Sequence, residues 1–165
     1  MDELDKAIEI AMVGESRDRA LFRFRRQMEE WAVALPPVEP LVLDFGLGEF
    51  DSTGLIEYWI ANEAAAGYCG KYLFLFDGQS CPTHQHARKT ETFFVMKGRM
   101  QVHYEGRART LAAGELLLVE PGRDHGMTGQ GPCLFLELSS PCSVDDNRFR
   151  DPRIPIGRRT GARGA

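Results

Sequence analysis

No stretch of this sequence stays apolar for the roughly 18 residues that a bilayer-crossing helix needs. The formal net charge of −4 leaves no basic surplus for a nucleic-acid backbone. Neither a membrane nor a nucleic-acid partner is therefore expected. Cysteine is sparse, with four residues at positions 69, 81, 133 and 142, and no two are spaced CxxC. The N-terminus, Met1-Asp2-Glu3-Leu4-Asp5, is acidic and has no secretory character. Together these features predict reduced thiols in a cytoplasmic protein. Internal repeats and low-complexity blocks are absent too. The 165 residues amount to one domain, enough to build a core without disulfide staples.

Histidine is equally scarce, yet three of the four fall in two short windows. His84, Gln85, His86 and Glu91 lie close together, and His125 follows 34 residues after Glu91. In a strand, side chains alternate faces, so His84 and His86 point the same way about 7 Å apart. Glu91 opens an apolar run, Thr92-Phe93-Phe94-Val95-Met96, that reads as a neighbouring strand. His125 follows a third strand, Leu116-Leu117-Leu118-Val119, and a turn at Pro121-Gly122. Three imidazoles and a carboxylate brought to one place on a β scaffold suit a hard or borderline divalent cation: Mn, Fe, Co, Zn or Ni. Cys81, three residues before His84, could lie near that ion, although a small buried thiol explains it as well.

The rest of the chain frames this set. Residues 3–34 read as helical, with Leu4, Ala7, Ile8 and Ala11 at helical spacing, a break at Gly14-Glu15-Ser16, and a second stripe of Ala20, Leu21, Phe24, Met28 and Trp31. Arg17, Arg19, Arg23, Arg25 and Arg26 fall mostly on the other faces, as a solvated surface paired with acids. Pro36-Pro37 ends the helical part. Strands are predicted near 41–45, 55–61, 68–76, 81–86, 91–97, 100–105, 108–111, 116–120, 125–128 and 133–139, with hairpin tips at Lys97-Gly98-Arg99 and Glu105-Gly106-Arg107. Many short strands mean a sandwich or barrel. The expected units are a helical extension over 1–37, a barrel over 38–157 and a mobile tail over 158–165.

The glycines complete a pattern. Gly78, five residues, His84-x-His86, four residues, Glu91, six residues and Gly98 make up the whole first cupin motif. Gly114, Pro121-Gly122 and His125 carry the second. It departs at Glu120, where a proline is usual, and at Gly129, where an asparagine is usual; neither position supplies a metal ligand in the family. The chain is thus identified as a member of the cupin superfamily. That implies an all-β fold: a single cupin β-barrel (double-stranded β-helix, or jelly roll) behind an N-terminal helical segment. Several flanking segments resemble the D-lyxose isomerase family of cupins: Leu43-Asp44-Phe45-Gly46-Leu47-Gly48, Tyr68-Cys69-Gly70-Lys71, Gly78 to His86, Glu137-Leu138-Ser139-Ser140 and Asp145 to Phe149. The resemblance covers roughly residues 40–154. It implies a homodimer with manganese at His84, His86, Glu91 and His125, and the interconversion of D-lyxose and D-xylulose, with D-mannose as a second sugar.

Such a reaction needs a proton carrier between C1 and C2. Glu137, inside the apolar run Leu134-Phe135-Leu136-Glu137-Leu138, is the candidate base; desolvation should raise its pKa toward the working pH. On the residues alone a solvated edge glutamate fits equally well, and the resemblance favours the base. Lys71 interrupts the apolar run from Tyr68 to Phe76 and could steady an enediolate or shuttle a hydroxyl proton; a surface lysine fits as well. The resemblance also places Arg148 and Asp146 on sugar hydroxyls, against a solvated tail. Arg88 and Lys89 are expected to face solvent from a turn, as is His103 from its strand. The alternatives are a cupin-type non-haem iron dioxygenase and a non-catalytic small-molecule-binding cupin.

Overall fold

The computed structural model describes residues 3–156; the tail expected over 158–165 lies outside them, as does Gly157. Short runs rich in apolar and β-branched residues, most of them bounded by glycine turns, build eleven strands: β1 (Leu41–Leu43), β2 (Leu55–Glu63), β3 (Tyr68–Leu75), β4 (Ser80–His86), β5 (Glu91–Lys97), β6 (Arg99–Tyr104), β7 (Arg107–Ala112), β8 (Leu116–Val119), β9 (His125–Gly129), β10 (Cys133–Ser139) and β11 (Asn147–Phe149). They form a six-stranded sheet in the order β1-β2-β3-β10-β5-β8 and a five-stranded sheet in the order β11-β4-β9-β6-β7. All pairings between these strands are antiparallel. The inner faces enclose the main core, with Leu73, Phe93, Val95, Met100, Val102, Leu111 and Phe135 buried at its centre. This is the all-β, jelly-roll architecture that the motifs imply.

The helical segment is shorter than its periodicity suggests. Helices α1 (Glu3–Ile8) and α2 (Gly14–Glu30) are separated at residues 9–13. There Met12 N–H donates to Val42 O at 2.7 Å and Ala11 bridges Leu43, so the chain pairs briefly with β1. Gly14 starts α2 instead of merely ending α1. The stripe Ala20, Leu21, Phe24 and Met28 packs on Val42, Ile56, Tyr58, Phe74 and Leu134, a second core on the outer face of the six-stranded sheet. Three arginines of α2 meet acids at the surface: Arg17 with Glu39, Arg19 with Glu15 and Arg23 with Asp51.

Two turns differ in kind although both carry glycine. Glu105 and Gly106, at φ 49° and 73°, form the two-residue tip of the β6–β7 hairpin, as the sequence suggests. Lys97-Gly98-Arg99 is not a hairpin tip. It is the corner where the chain passes from one sheet to the other, because β5 pairs with β10 and β8 while β6 pairs with β7 and β9. A Cβ on Gly98 would lie 2.0 Å from Pro132 O, so the corner admits no side chain. The segment after β10 also departs from expectation. It forms a 3₁₀ turn (Val144–Asp146) and then β11, which pairs with β4 at the histidine positions.

Candidate metal centre

The geometry of β4 and β9 sets the histidines. His84 and His86 occupy one face of β4, and His125 opens β9 directly opposite His84. Glu91 opens β5 in the other sheet and reaches across the barrel. One ligand nitrogen from each of His84, His86 and His125 falls within 4.8 Å of the others. Glu91 Oε2 lies 3.2 Å from His86 Nε2 and 3.0 Å from His125 Nε2. All four side chains are buried.

These close approaches are not hydrogen bonds. His86 Nδ1, His86 Nε2, Glu91 Oε2 and His125 Nε2 are buried and lack any hydrogen-bond partner. Stranded polar atoms of this kind cost about 1–3 kcal/mol each unless something satisfies them. Separations near 3 Å are those of neighbouring ligands around one ion with bonds of about 2.1 Å. The donor set therefore fits a divalent cation, held by three imidazoles and one carboxylate oxygen. Two backbone carbonyls support it: His84 Nδ1 donates to Pro82 O at 2.8 Å and His125 Nδ1 to Arg123 O at 3.0 Å, which leaves each Nε2 free to ligate. Burial, with His125 and His86 beside it, pushes the His84 imidazole well below its ordinary value. It is therefore neutral, as a ligand must be.

A ladder of alternating charge crosses the barrel beside the ligands. Glu137 on β10 stands opposite Lys71 on β3 in register. Lys89 Nζ bridges Glu91 Oε1 at 2.6 Å and Glu137 Oε1 at 2.5 Å. Lys89 was expected to face solvent, but it is buried, because the loop after β4 turns it inward. Asp146 fixes that turn: its carboxylate accepts the backbone N–H groups of Ala87, Arg88 and Lys89 at 3.1–3.2 Å. Arg88 is exposed, as expected.

Glu137 does not titrate as the sequence suggested. Burial pushes its carboxyl up, but Lys89 and Lys71 outweigh burial and hold it below the ordinary carboxylate range. The same balance applies at Glu91. Burial raises it, while Lys89 and the two imidazoles bring it well below the ordinary value. The Lys71 ammonium is buried, 3.4 Å from Glu57 Oε2 and 3.4 Å from Cys142 Sγ.

The carboxylate of Asp146 is thus engaged by backbone amides. Arg148 is exposed on β11 opposite Gln85, and Asn147, not Arg148, lines the cavity. Cys81 also lines it as a buried thiol, and burial raises its pKa. All four cysteines are free and buried, and His103 is exposed. Sequence reasoning missed Glu57 and Lys89. Glu57 had a signal, a single carboxylate within the apolar run Leu55-Ile56-Glu57-Tyr58-Trp59 that opens its strand. Lys89 had none, since a lysine in a polar turn reads as solvated.

The cavity that these groups line measures about 40 Å3, space for a few waters. Lys89 also lines a neighbouring pocket of about 480 Å3, with Asn62, Ser140, Cys142 and Asp146. It therefore forms part of the partition between the two. A larger hollow of about 590 Å3, between α2 and residues 48–52, lies away from the ligand set.

The family profile of the cupin domain matches residues 75–139. The chain is 31% identical to a D-lyxose/D-mannose isomerase of Thermosediminibacter oceani, over 68% of this chain and 77% of the relative. It is 30% identical to a D-lyxose ketol-isomerase of Cohnella laeviribosi, over 85% of this chain and 91% of the relative. In fold it resembles the L-ribose isomerase of Cellulomonas parahominis, with a TM-score of 0.70 at 17% identity over 88% of this chain and 95% of that one. A mutant L-ribose isomerase of an Acinetobacter species gives a TM-score of 0.72 at 14% identity, with the same coverage. With its histidine triad, its barrel and relatives aligned along most of their length, the chain belongs to the D-lyxose ketol-isomerase family of cupins.

Proposed function

We propose that this protein is a metal-dependent aldose–ketose isomerase that interconverts D-lyxose with D-xylulose, and D-mannose with D-fructose. The observation that carries this reading is a buried carboxylate outside the ligand set, Glu137, joined through Lys89 to the ligand Glu91 in one cavity. The printed names of the relatives support the sugar class. His84, His86, Glu91 and His125 would hold the ion, with manganese the first candidate; when bound, it supplies a Lewis acid that holds adjacent sugar oxygens and acidifies the C–H between them.

Glu137 then takes the proton from C2 of the aldose and returns it to C1, while the hydroxyl proton on O2 passes to O1, through a cis-enediol. Its depressed pKa keeps it ionised and able to accept a proton at neutral pH. The ammonium of Lys89 steadies the carboxylate between transfers, and Lys71 offsets negative charge developing on the sugar oxygens. A cavity of about 40 Å3 is smaller than a sugar, so binding displaces part of its wall. Lys89 and the pocket beyond it mark the route.

The test is proton NMR after turnover of D-lyxose in D₂O by manganese-loaded protein, without oxygen and with the metal removed before the spectrum is taken. Metal-dependent D-xylulose carrying deuterium is the expected result. Failure to convert D-lyxose, D-mannose and a panel of further sugars would remove the isomerase reading.

We further propose that the protein is cytoplasmic and a homodimer; the homodimer is supported by a cluster of exposed apolar side chains on the outer face of the six-stranded sheet that α2 leaves uncovered: Phe94, Leu116, Leu118 and Leu138.

A further inference from the structure

Glu57 has no task in the proton transfer assigned to Glu137, and Lys71 only offsets charge there, yet the two are buried as a pair against the same cavity. Trp59 holds them. Its Nε1–H donates to Glu57 Oε2 at 2.7 Å, and Lys71 Nζ sits 4.2 Å from the centroid of its ring. Lys71 Nζ is 3.4 Å from the same Glu57 oxygen. Removing two charges from water is costly, and a hydrophobic pair would often be no less stable. A buried ion pair fixed by a third side chain and facing a cavity is a functional arrangement.

Aldoses in water are cyclic hemiacetals, whereas proton transfer between C1 and C2 requires the open chain. Ring opening needs a base for the hydroxyl on C1 and an acid for the ring oxygen. Both oxygens are bonded to C1, so acid and base must stand side by side. We propose that Glu57 and Lys71 are an acid–base dyad that opens and closes the sugar ring, giving the protein an anomer-interconverting activity separate from isomerisation at Glu137. This rests on the sugar-isomerase reading above.

The step balances within the pair. The Glu57 carboxylate takes the proton of the C1 hydroxyl, and the C1–O1 bond becomes a carbonyl. The bond between C1 and the ring oxygen breaks with its electrons on that oxygen, which takes a proton from the Lys71 ammonium. Glu57 then passes its proton to the Lys71 amine across their contact, and the dyad is reset. Reclosure on the other face of the carbonyl gives the other anomer. Lys71 carries the needed proton at neutral pH: burial lowers its pKa, but Cys142, Glu57 and Glu137 together raise it above the ordinary value.

The experiment uses manganese-loaded Glu137→Gln protein, which should not isomerise, and follows the optical rotation of freshly dissolved crystalline D-lyxose. The rotation should relax faster with protein than in buffer alone. In the Glu137→Gln/Glu57→Gln double variant, the protein-dependent part should fall about 100-fold, within the usual range for a lost general acid or base. Glu137→Gln/Lys71→Gln tests the acid side should the first double variant not fold, as judged by its melting curve. No acceleration by Glu137→Gln protein, or acceleration that survives both double variants, would overturn the dyad. A wild-type assay for ketose separates the two readings. Ketose formation without anomer interconversion sinks only the dyad, while no ketose from any sugar sinks the isomerase and the dyad with it.

Discussion

Lys89 neutralises two carboxylates at 2.6 and 2.5 Å in a buried site. Removing one partner of a buried charge cluster typically costs 3–5 kcal/mol. Lys89→Met should therefore lower the melting temperature strongly, by an amount corresponding to about 3 kcal/mol or more at the transition. A variant that melts with the wild type would mean that the carboxylates find solvent instead. Glu137→Gln should behave differently, losing turnover about 10²- to 10⁴-fold while keeping its metal. Metal analysis alongside a ketose assay separates those outcomes.

The candidate ligands also set a pH dependence. The folded-state value of His84 lies below its ordinary 6.5, so its contribution to stability is full above that pH and is lost as pH falls toward the folded value. Glu91, held below its ordinary 4.5, adds a loss beneath that pH. The melting temperature of the metal-free protein should decline from about pH 6.5 downward, and metal occupancy should fall below about pH 6. Metal retained at pH 4 would remove the three-histidine site. Side chains such as His84 and Glu91 were legible because their spacing states their geometry. Lys89 was not, because only the Asp146 contact, 57 residues away in sequence, turns its loop inward.

Among the elements, β9 and the turn after β4 explain what the motifs could not. Gly129 stands where the second cupin motif usually has asparagine. A Cβ there would lie 2.2 Å from Phe76 O, and the residue's own N–H and C=O bond Gln79 and Gly78. Gly129→Asn, which restores the motif, should therefore destabilise by about 1–3 kcal/mol or more, as overpacking does, and a melting curve decides it. Asp146→Ala would free three backbone amides and release the loop that carries Lys89, so its effect should appear in KM and kcat together. The strand periodicities were readable to within a residue or two for β2 to β10, since alternation and glycine turns are local properties. The crossing at Gly98 and the pairing of β11 with β4 were not, because sheet membership depends on contacts distant in sequence.

For the molecule as a whole, the uncovered outer face of the six-stranded sheet is the feature to test. Leu118→Glu places a charge among Phe94, Leu116 and Leu138 without touching the cavity. If this face joins two copies, light scattering should report a dimer for the wild type and a monomer for the variant. The same mass for both would move the interface elsewhere.

The strands that carry the site are flanked on both sides in their sheets: β2, β3, β4, β5, β9 and β10 are all interior, and the edges are β1, β8, β11 and β7. Amides on interior strands exchange with solvent chiefly through the rarest openings of the molecule. The site is thus built into the slowest-opening part of the chain, apart from the loop bearing Lys89. Fraying at the edges can proceed without disturbing the ligands. Thermal inactivation should follow the same curve as global melting, and deuterium uptake at β4 and β10 should be the last to complete.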